Sequence, residues 1–384
     1  MSKQFEKIFQ KIDKENVINF INPICFLVGP SISMEIPSNV PSPREISIGT
    51  IEICAPKNKI DELIKIKIPF EIVIEAFSET LDPNLRIMDF YSEYICPNPI
   101  HFLLAILINK GIYIFTINQD YLIELSLCQI LNENLHERIM PIIGKNEFRN
   151  YKLPKDLPKK NFPIFKLNGS KWNMITKLNT YESMFITINS LNEKYRKSFE
   201  LGILPSLINF SKNGNLVILG FEEDNIEYIK PFFKRFMNKL EVERIIWVEN
   251  ANMDVDYRKI LKNQEKFDKI RHELDFVQHL IGDFAQEYNF NFYFCRGNLI
   301  KLLYDIFIRN KSFNEIVEKV SLNFDYNYLL NNYTPLNRKT SRFRIDLFKS
   351  IVQPLFGNIT PIQNTKFVEL IKEKLEYYKN FNIV

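Results

Sequence analysis

The stretch 24-ICFLVGPSIS-33 decides the fold: five apolar residues run straight into a glycine and a polar turn. That pattern reads as a strand buried on both faces of a parallel sheet, followed by a tight strand-to-helix turn. Periodicity alone also allows a turn of buried helix, so the reading rests on recurrence. Comparable runs are 112-IYIFT-116 into 117-INQDYLIELSLCQIL-131, 162-FPIFKL-167 into 168-NGS-170, and 215-NLVILG-220 into 221-FEEDNIEYIKPFFKRFMNKL-240. Two more are 243-ERIIWVEN-250 and 290-FNFYFC-295, the latter passing through Arg296 and Gly297 into 299-LIKLLYDIFI-308. Strands that repeatedly end in a polar turn and a helix predict an α/β protein, a Rossmann-like doubly wound parallel sheet of about six strands.

Working outward, residues 3–20 place Phe5, Ile8, Phe9, Ile12, Val17 and Phe20 near a 3.6-residue period, predicting an N-terminal amphipathic helix over 1–20. The sheet domain then spans 21–309. Residues 35–57 carry four prolines and read as loop, before helices at 70–81, 84–95 and 100–111, the last closing on Gly111. A mixed helical region covers 188–210. Residues 251–289 form a charged insertion with one long helix around 264–288, whose stripe of Phe267, Ile270, Leu274, Val277, Ile281 and Phe284 reads as core, with pairing to another subunit as the alternative. Beyond 310 the strand pattern stops, and 310–384 reads as a helical C-terminal extension interrupted by Pro335 and Pro354.

Composition narrows the classes of function. A chain of 384 residues with 46% hydrophobic and 25% charged residues can bury a sizeable core, which excludes disordered and fibrous classes. Fifty Lys plus Arg against 46 Asp plus Glu give a net charge of +4, too weak and dispersed to argue for a nucleic-acid partner. The segment 337-NRKTSRFRIDLFK-349 concentrates Arg338, Lys339, Arg342, Arg344 and Lys349 and is the one candidate for such contact; a solvated helix start is the simpler reading. Apolar runs such as 101-HFLLAILI-108 fall short of the roughly 20 residues that span a bilayer, so no membrane helix is expected. The N-terminus has neither a signal-type apolar region nor a cleavage site, and a cytoplasmic location is expected. Five cysteines without a C-x-x-C pair argue against a zinc ribbon and a disulfide framework, so no metal site is expected.

Open α/β sheets bind ligands at the carboxyl ends of their strands, where the chain turns into helix N-termini. Four such ends carry 29-GPSIS-33, 116-TINQD-120, 168-NGS-170 and 220-GFEED-224. Glycine is scarce, 11 residues in all, yet Gly29, Gly169 and Gly220 sit in these turns and Gly297 opens another. Any one of them is explained by turn geometry; four together point to a nucleotide crevice. Of the four histidines, His101 in 97-PNPIH-101 precedes a strand end on a helix and is the one expected near the crevice, with a helix-start histidine as the alternative. His136, His272 and His279 read as surface or packing residues.

The ordered set 29-GPSISMEIP-37, 115-FTINQDYLIE-124, 164-IFKLNGS-170 and 216-LVILGFEEDNI-226 resembles the sirtuin (silent information regulator) superfamily, with its G-A-G-x-S loop, T-x-N-x-D motif, L-H-G motif and late strand ending in glycine. The resemblance covers roughly 20–305. With 97-PNPIH-101, the ending DYLIE and no cysteine module, it looks most like the prokaryotic sirtuin-like NAD-cleaving proteins of antiviral defence. The resemblance implies NAD as substrate, release of nicotinamide and an ADP-ribose product, and a homo-oligomer or a defence partner protein. It places Asn118 on the nicotinamide ribose and attacking water and Asp120 on the carboxamide, with Thr116 shaping the loop. Ser33 and the N–H groups from Gly29 onward, with Pro30 and Ser31 between, would meet the pyrophosphate; Gly169, Gly220 and Asp224 would lie near the adenosine half, and Ser170 and Gly297 are further cofactor-binding candidates. Capping of the following helix is the alternative for Asn118.

Two positions depart from that pattern. Asn168 stands where the family has the L-H-G histidine; Asn hydrogen-bonds a hydroxyl but cannot take its proton. Pro30 and Ser31 replace Ala and the second Gly of the first loop, removing an N–H donor and adding a Cβ. An inactive natural homologue, another base, or a substitution made to trap a ligand would each explain Asn168. The expected function is an NAD hydrolase, and the alternative a catalytically inert sirtuin-fold nucleotide-binding or scaffolding subunit.

Overall fold

The computed structural model describes residues 5–18, 22–184, 187, 203–221, 237–251, 253–307 and 339–380. Nine strands form one sheet: β1 (Phe9–Lys11), β2 (Ile24–Val28), β3 (Tyr113–Thr116), β4 (Ile139–Ile142), β5 (Phe162–Lys166), β6 (Asn215–Leu219), β7 (Arg244–Asn250), β8 (Asp256–Ile260) and β9 (Asn291–Gly297). Their order is β1-β8-β9-β7-β6-β2-β3-β5-β4. From β9 to β4 every pairing is parallel, whereas β8 joins β9, and β1 joins β8, antiparallel.

Both sheet faces are covered, which is why the strands read as unbroken apolar runs. Cys25, Leu27, Phe115, Phe165, Leu216 and Ile218 bury on one face; Phe26, Val28, Ile114, Ile164, Val217 and Leu219 bury on the other. The chain leaves β2 for β3, β5 and β4 on one flank, then crosses back to β6 beside β2 and continues to β7 and β9. The direction of strand order therefore reverses between β2 and β6, where open α/β sheets place their ligand crevice.

A third core is helical. It unites α2 (Pro43–Cys54), α3 (Lys57–Lys65), α4 (Phe70–Thr80) and the 3-10 helix Arg86–Glu93 with the helices Lys339–Val352 and Pro361–Asn380. The part of the extension that is described is thus built into the molecule. Arg344 is buried and makes a bidentate pair with Glu45, while Lys374 bridges Glu75 and Glu79 of α4.

Several sequence expectations change. About six strands become nine among the described residues. The expected N-terminal helix is a 3-10 turn (Phe5–Lys7), then β1, then a second 3-10 turn (Lys14–Asn16). Its helical spacing yields to tertiary pairing: Phe9 sits opposite Ile260, and buried Arg258 donates to the Phe9 carbonyl at 2.8 Å. The proline-rich 35–57 segment contains α2, because 42-SPRE-45 is a capping box with proline at the first helical position. The Ser42 hydroxyl accepts from the Glu45 N–H, and Glu45 accepts from the Ser42 N–H. Residues 84–95 hold a 3-10 rather than an α-helix, entered through Leu85 in the left-handed region.

The expected 264–288 helix is two, Gln264–Ile270 and Phe276–Glu287, because Asp275 and Gln278 form a new capping box. Its apolar stripe is core, as the simpler reading had it: Phe267, Ile270, Val277, Ile281 and Phe284 pack beneath the sheet, and this insertion also supplies β8. Of the 188–210 region only Leu204–Ser211 is described as helix. Most of the expected 221–240 helix and residues 308–338 lie outside the described residues. Among the described residues no helix is long and apolar enough to cross a membrane.

Candidate functional site

The last rung of the central sheet aligns Leu219, Val28, Thr116 and Lys166 across β6, β2, β3 and β5. The next residues of β2 and β6 are Gly29 and Gly220, which meet backbone to backbone. The Gly29 N–H donates to the Leu219 carbonyl at 2.8 Å, and the Ser31 N–H donates to the Gly220 carbonyl at 3.0 Å. A Cβ on Gly29 would lie 2.4 Å from the Gly220 oxygen, and Gly220 has φ +78, so no other residue suits this crossing.

That crossing changes one expectation. Gly29 and Ser31 were to aim their N–H groups at a pyrophosphate; both are spent on β6, and Pro30 has none. Ser33 is committed as well. In α1 (Ser31–Met34), its Oγ lies 2.8 Å from Asp120 Oδ2, 3.1 Å from Asn118 Nδ2 and 3.0 Å from His101 Nε2, with all four residues buried.

The direction of each bond follows from chemistry. The Asn98 N–H donates to His101 Nδ1 at 3.2 Å, which leaves the imidazole proton on Nε2. Burial pushes the His101 pKa down to about 4, with Asp120 opposing, so the ring is neutral at pH 7. Nε2–H therefore donates to Ser33 Oγ. A carboxylate only accepts, so the Ser33 hydroxyl proton points to Asp120. The second lone pair of Ser33 accepts from Asn118 Nδ2. Asn118 Oδ1 is thereby turned out of the relay; it is buried and has no hydrogen-bond partner among the described residues, as does Gln119 Oε1 beside it.

Backbone geometry holds this arrangement. Asn98 caps α5 (Pro99–Asn109), its side chain accepting from the Ile100 and His101 N–H groups and donating to the Ile32 carbonyl at 2.6 Å. Thr116 Oγ1 donates to the Val28 carbonyl and accepts from the Asn118 N–H at 3.0 Å. Asp120 Oδ1 accepts from the Leu122 N–H at 3.1 Å, starting α6 (Leu122–Ile130). The helix start expected as an alternative for Asn118 is thus served by Asp120. His101 is a helix-start histidine, fully buried, whose Nε2 lies 3.0 Å from Ser33 Oγ.

The remaining candidates are placed differently. Asn168 lies just past β5, partly exposed, with no side-chain hydrogen bond among the described residues. Gly169 is packed against the Ser183 carbonyl, and Ser170 donates to the Trp172 carbonyl at 2.9 Å, so both serve the 168–184 loop itself. Gly297 ends β9, two strands beyond β6, against Val255. Asp224 lies outside the described residues. The candidate nucleic-acid segment is engaged internally: Arg342 and Lys349 pair with Glu52, and Arg344 with Glu45, while Arg338 lies outside the described residues. Among the described residues no group of His, Cys, Asp and Glu is arranged to hold a metal ion.

Two residues at the site escaped sequence reasoning. Lys166 and Glu124 are buried and paired at 3.0 Å directly behind Asp120. The available signal was a lone charge inside each of two apolar runs, 162-FPIFKL-167 and 121-YLIELSL-127.

Compared with known proteins, the sequence matches no family model and no curated relative.

Proposed function

We propose that this chain binds NAD at the carboxyl ends of β2, β3 and β6 and hydrolyses its nicotinamide–ribose bond, as the effector of a prokaryotic antiviral defence. The observation that carries the reading is the acceptor Asn118 Oδ1, buried and without a hydrogen-bond partner among the described residues, on a side chain whose Nδ2 is tethered to Ser33. Leaving such a group unsatisfied is costly, and a ribose hydroxyl or a water supplies the donor it lacks. The substrate supplies a glycosidic bond whose cleavage builds oxocarbenium character at the ribose carbon. Asp120 contributes a buried carboxylate that shares the Ser33 hydroxyl with Asn118. Asn118 and Asp120 are assigned to the ribose end on this reading; with the Gly29 and Ser31 N–H groups spent on β6, the first loop does not fit the pyrophosphate as the resemblance implied.

A second reading, an inert nucleotide-binding or scaffolding subunit, is favoured by the same spent N–H groups and by Asn168. Nicotinamide release from NAD separates the two, measured for the chain and for Asn168→His in parallel. Turnover in the parent, lost in Asn118→Ala, supports hydrolysis; turnover only in Asn168→His supports the fold and assigns the parent to the second reading. No turnover in either overturns hydrolysis for this chain.

A further inference from the structure

We infer that Lys166 and Glu124 form a positioning pair that fixes the Asn118–Tyr121 loop from behind, an inference that rests on the loop being the ribose-facing element proposed above. The pair joins two strand ends that are otherwise separate. Lys166 is the last residue of β5, in register with Thr116, the last of β3. Its ammonium has three donors. One goes to Glu124 on the first turn of α6, and one to the Asp120 carbonyl. The same ammonium lies 5.0 Å from the Tyr121 ring centroid, within cation–π range. Tyr121 in turn accepts the Trp172 N–H on its hydroxyl at 3.1 Å, linking the loop after β3 to the loop after β5.

The location is costly for charge. Lys166 and Glu124 side chains are 1% and 2% exposed, and burial raises the Glu124 carboxyl pKa while Lys166 opposes it. An apolar pair of similar size would fill the space without that penalty, so stability alone does not account for the choice. What an apolar pair cannot do is donate to the Asp120 carbonyl. That bond fixes the peptide between the relay carboxylate and Tyr121, in the loop that also carries Asn118.

The test compares the parent with Lys166→Met/Glu124→Leu, reading thermal midpoint, amide hydrogen exchange at Asn118 and Leu122, and nicotinamide release from NAD. A filler of the core predicts that the double variant matches the parent in all three. Positioning predicts a midpoint equal or higher, exchange at the two amides faster by about tenfold or more, and nicotinamide release lower by about 10- to 100-fold. Lys166→Arg, which keeps charge but changes reach, should restore stability relative to Lys166→Met without restoring amide protection. Unchanged exchange at Asn118 and Leu122 in a folded double variant overturns the inference, whatever NAD does. Faster exchange in a chain whose parent releases no nicotinamide supports the placement and overturns the hydrolase reading instead.

Discussion

Arg344–Glu45 and Lys166–Glu124 are two buried cation–carboxylate pairs, one in the helical core and one behind the sheet edge. In the first, the guanidinium fork meets both carboxylate oxygens at 2.8 and 2.6 Å, and the same carboxylate caps α2. The effect is to fasten residues 339–352 to α2. In the second, the ammonium divides its donors between a carboxylate and a main-chain carbonyl of the polar loop. Bidentate pairing locks two helices together; divided pairing leaves a charge that can hold a loop in a chosen direction. The difference in geometry is a difference between holding a fold and holding a site.

The largest effect should come from breaking the helical pair. Arg344→Met leaves Glu45 buried without its cation and should cost about 3–5 kcal/mol by urea denaturation. Asn118 and Leu122 amide protection in the folded fraction should not change; if it does, the two regions are coupled and the contrast fails.

Acid should act on the sheet edge. His101 has a folded pKa of about 4 against an ordinary 6.5, so between these values this ring binds more proton in the unfolded state and its own contribution to stability rises with pH, whereas Glu71, pushed up to about 7 by burial, contributes in the opposite sense. The contribution is complete above pH 6.5 and should fall by about 3 kcal/mol as pH drops from 6.5 to 4. Replacing the ring by His101→Gln should flatten that slope, whereas Arg344→Met should leave it intact; denaturation at several pH values measures both.

Ser33→Ala removes the hub of the relay and orphans an imidazole N–H, an amide N–H and one carboxylate oxygen. A loss of about 1–3 kcal/mol is expected, together with loss of NAD binding by calorimetry if Asn118 is no longer held. The smallest effect, about 1 kcal/mol, is expected for Thr116→Val, which deletes one acceptor for the Asn118 N–H and keeps the shape of β3. Its signature should be faster exchange at the Asn118 amide with little change in thermal midpoint.

The parallel centre of the sheet was legible because strands buried on both faces write continuous apolar runs. The antiparallel flank was not. β1 and β8 are short and carry polar residues, such as Gln10, Lys11, Arg258 and Lys259, and their pairing depends on partners far away in the chain. Asn118, Asp120, Ser33 and His101 were individually visible, since polar residues after apolar runs stand out. Their mutual order was not visible, because it rests on the imidazole tautomer, and that on one main-chain N–H. The loop N–H groups were misread for a related reason: glycine in a turn signals close approach, and here the approaching atoms belong to β6 rather than to a ligand.

The helical core also bears on how the chain reaches its structure during synthesis. Glu45 and Arg344 are 299 residues apart, as are Glu75 and Lys374. At ribosomal rates of about 5–20 residues per second, α2 and α4 wait roughly 15–60 s for their partners. Throughout that interval Ile46, Phe77 and Phe90 lack the apolar cover that Phe348, Phe356 and Phe367 later provide. The nascent chain thus presents a half-built helical core to any chaperone that binds exposed apolar surface, and a ribosome stalled near residue 330 would leave it in that state.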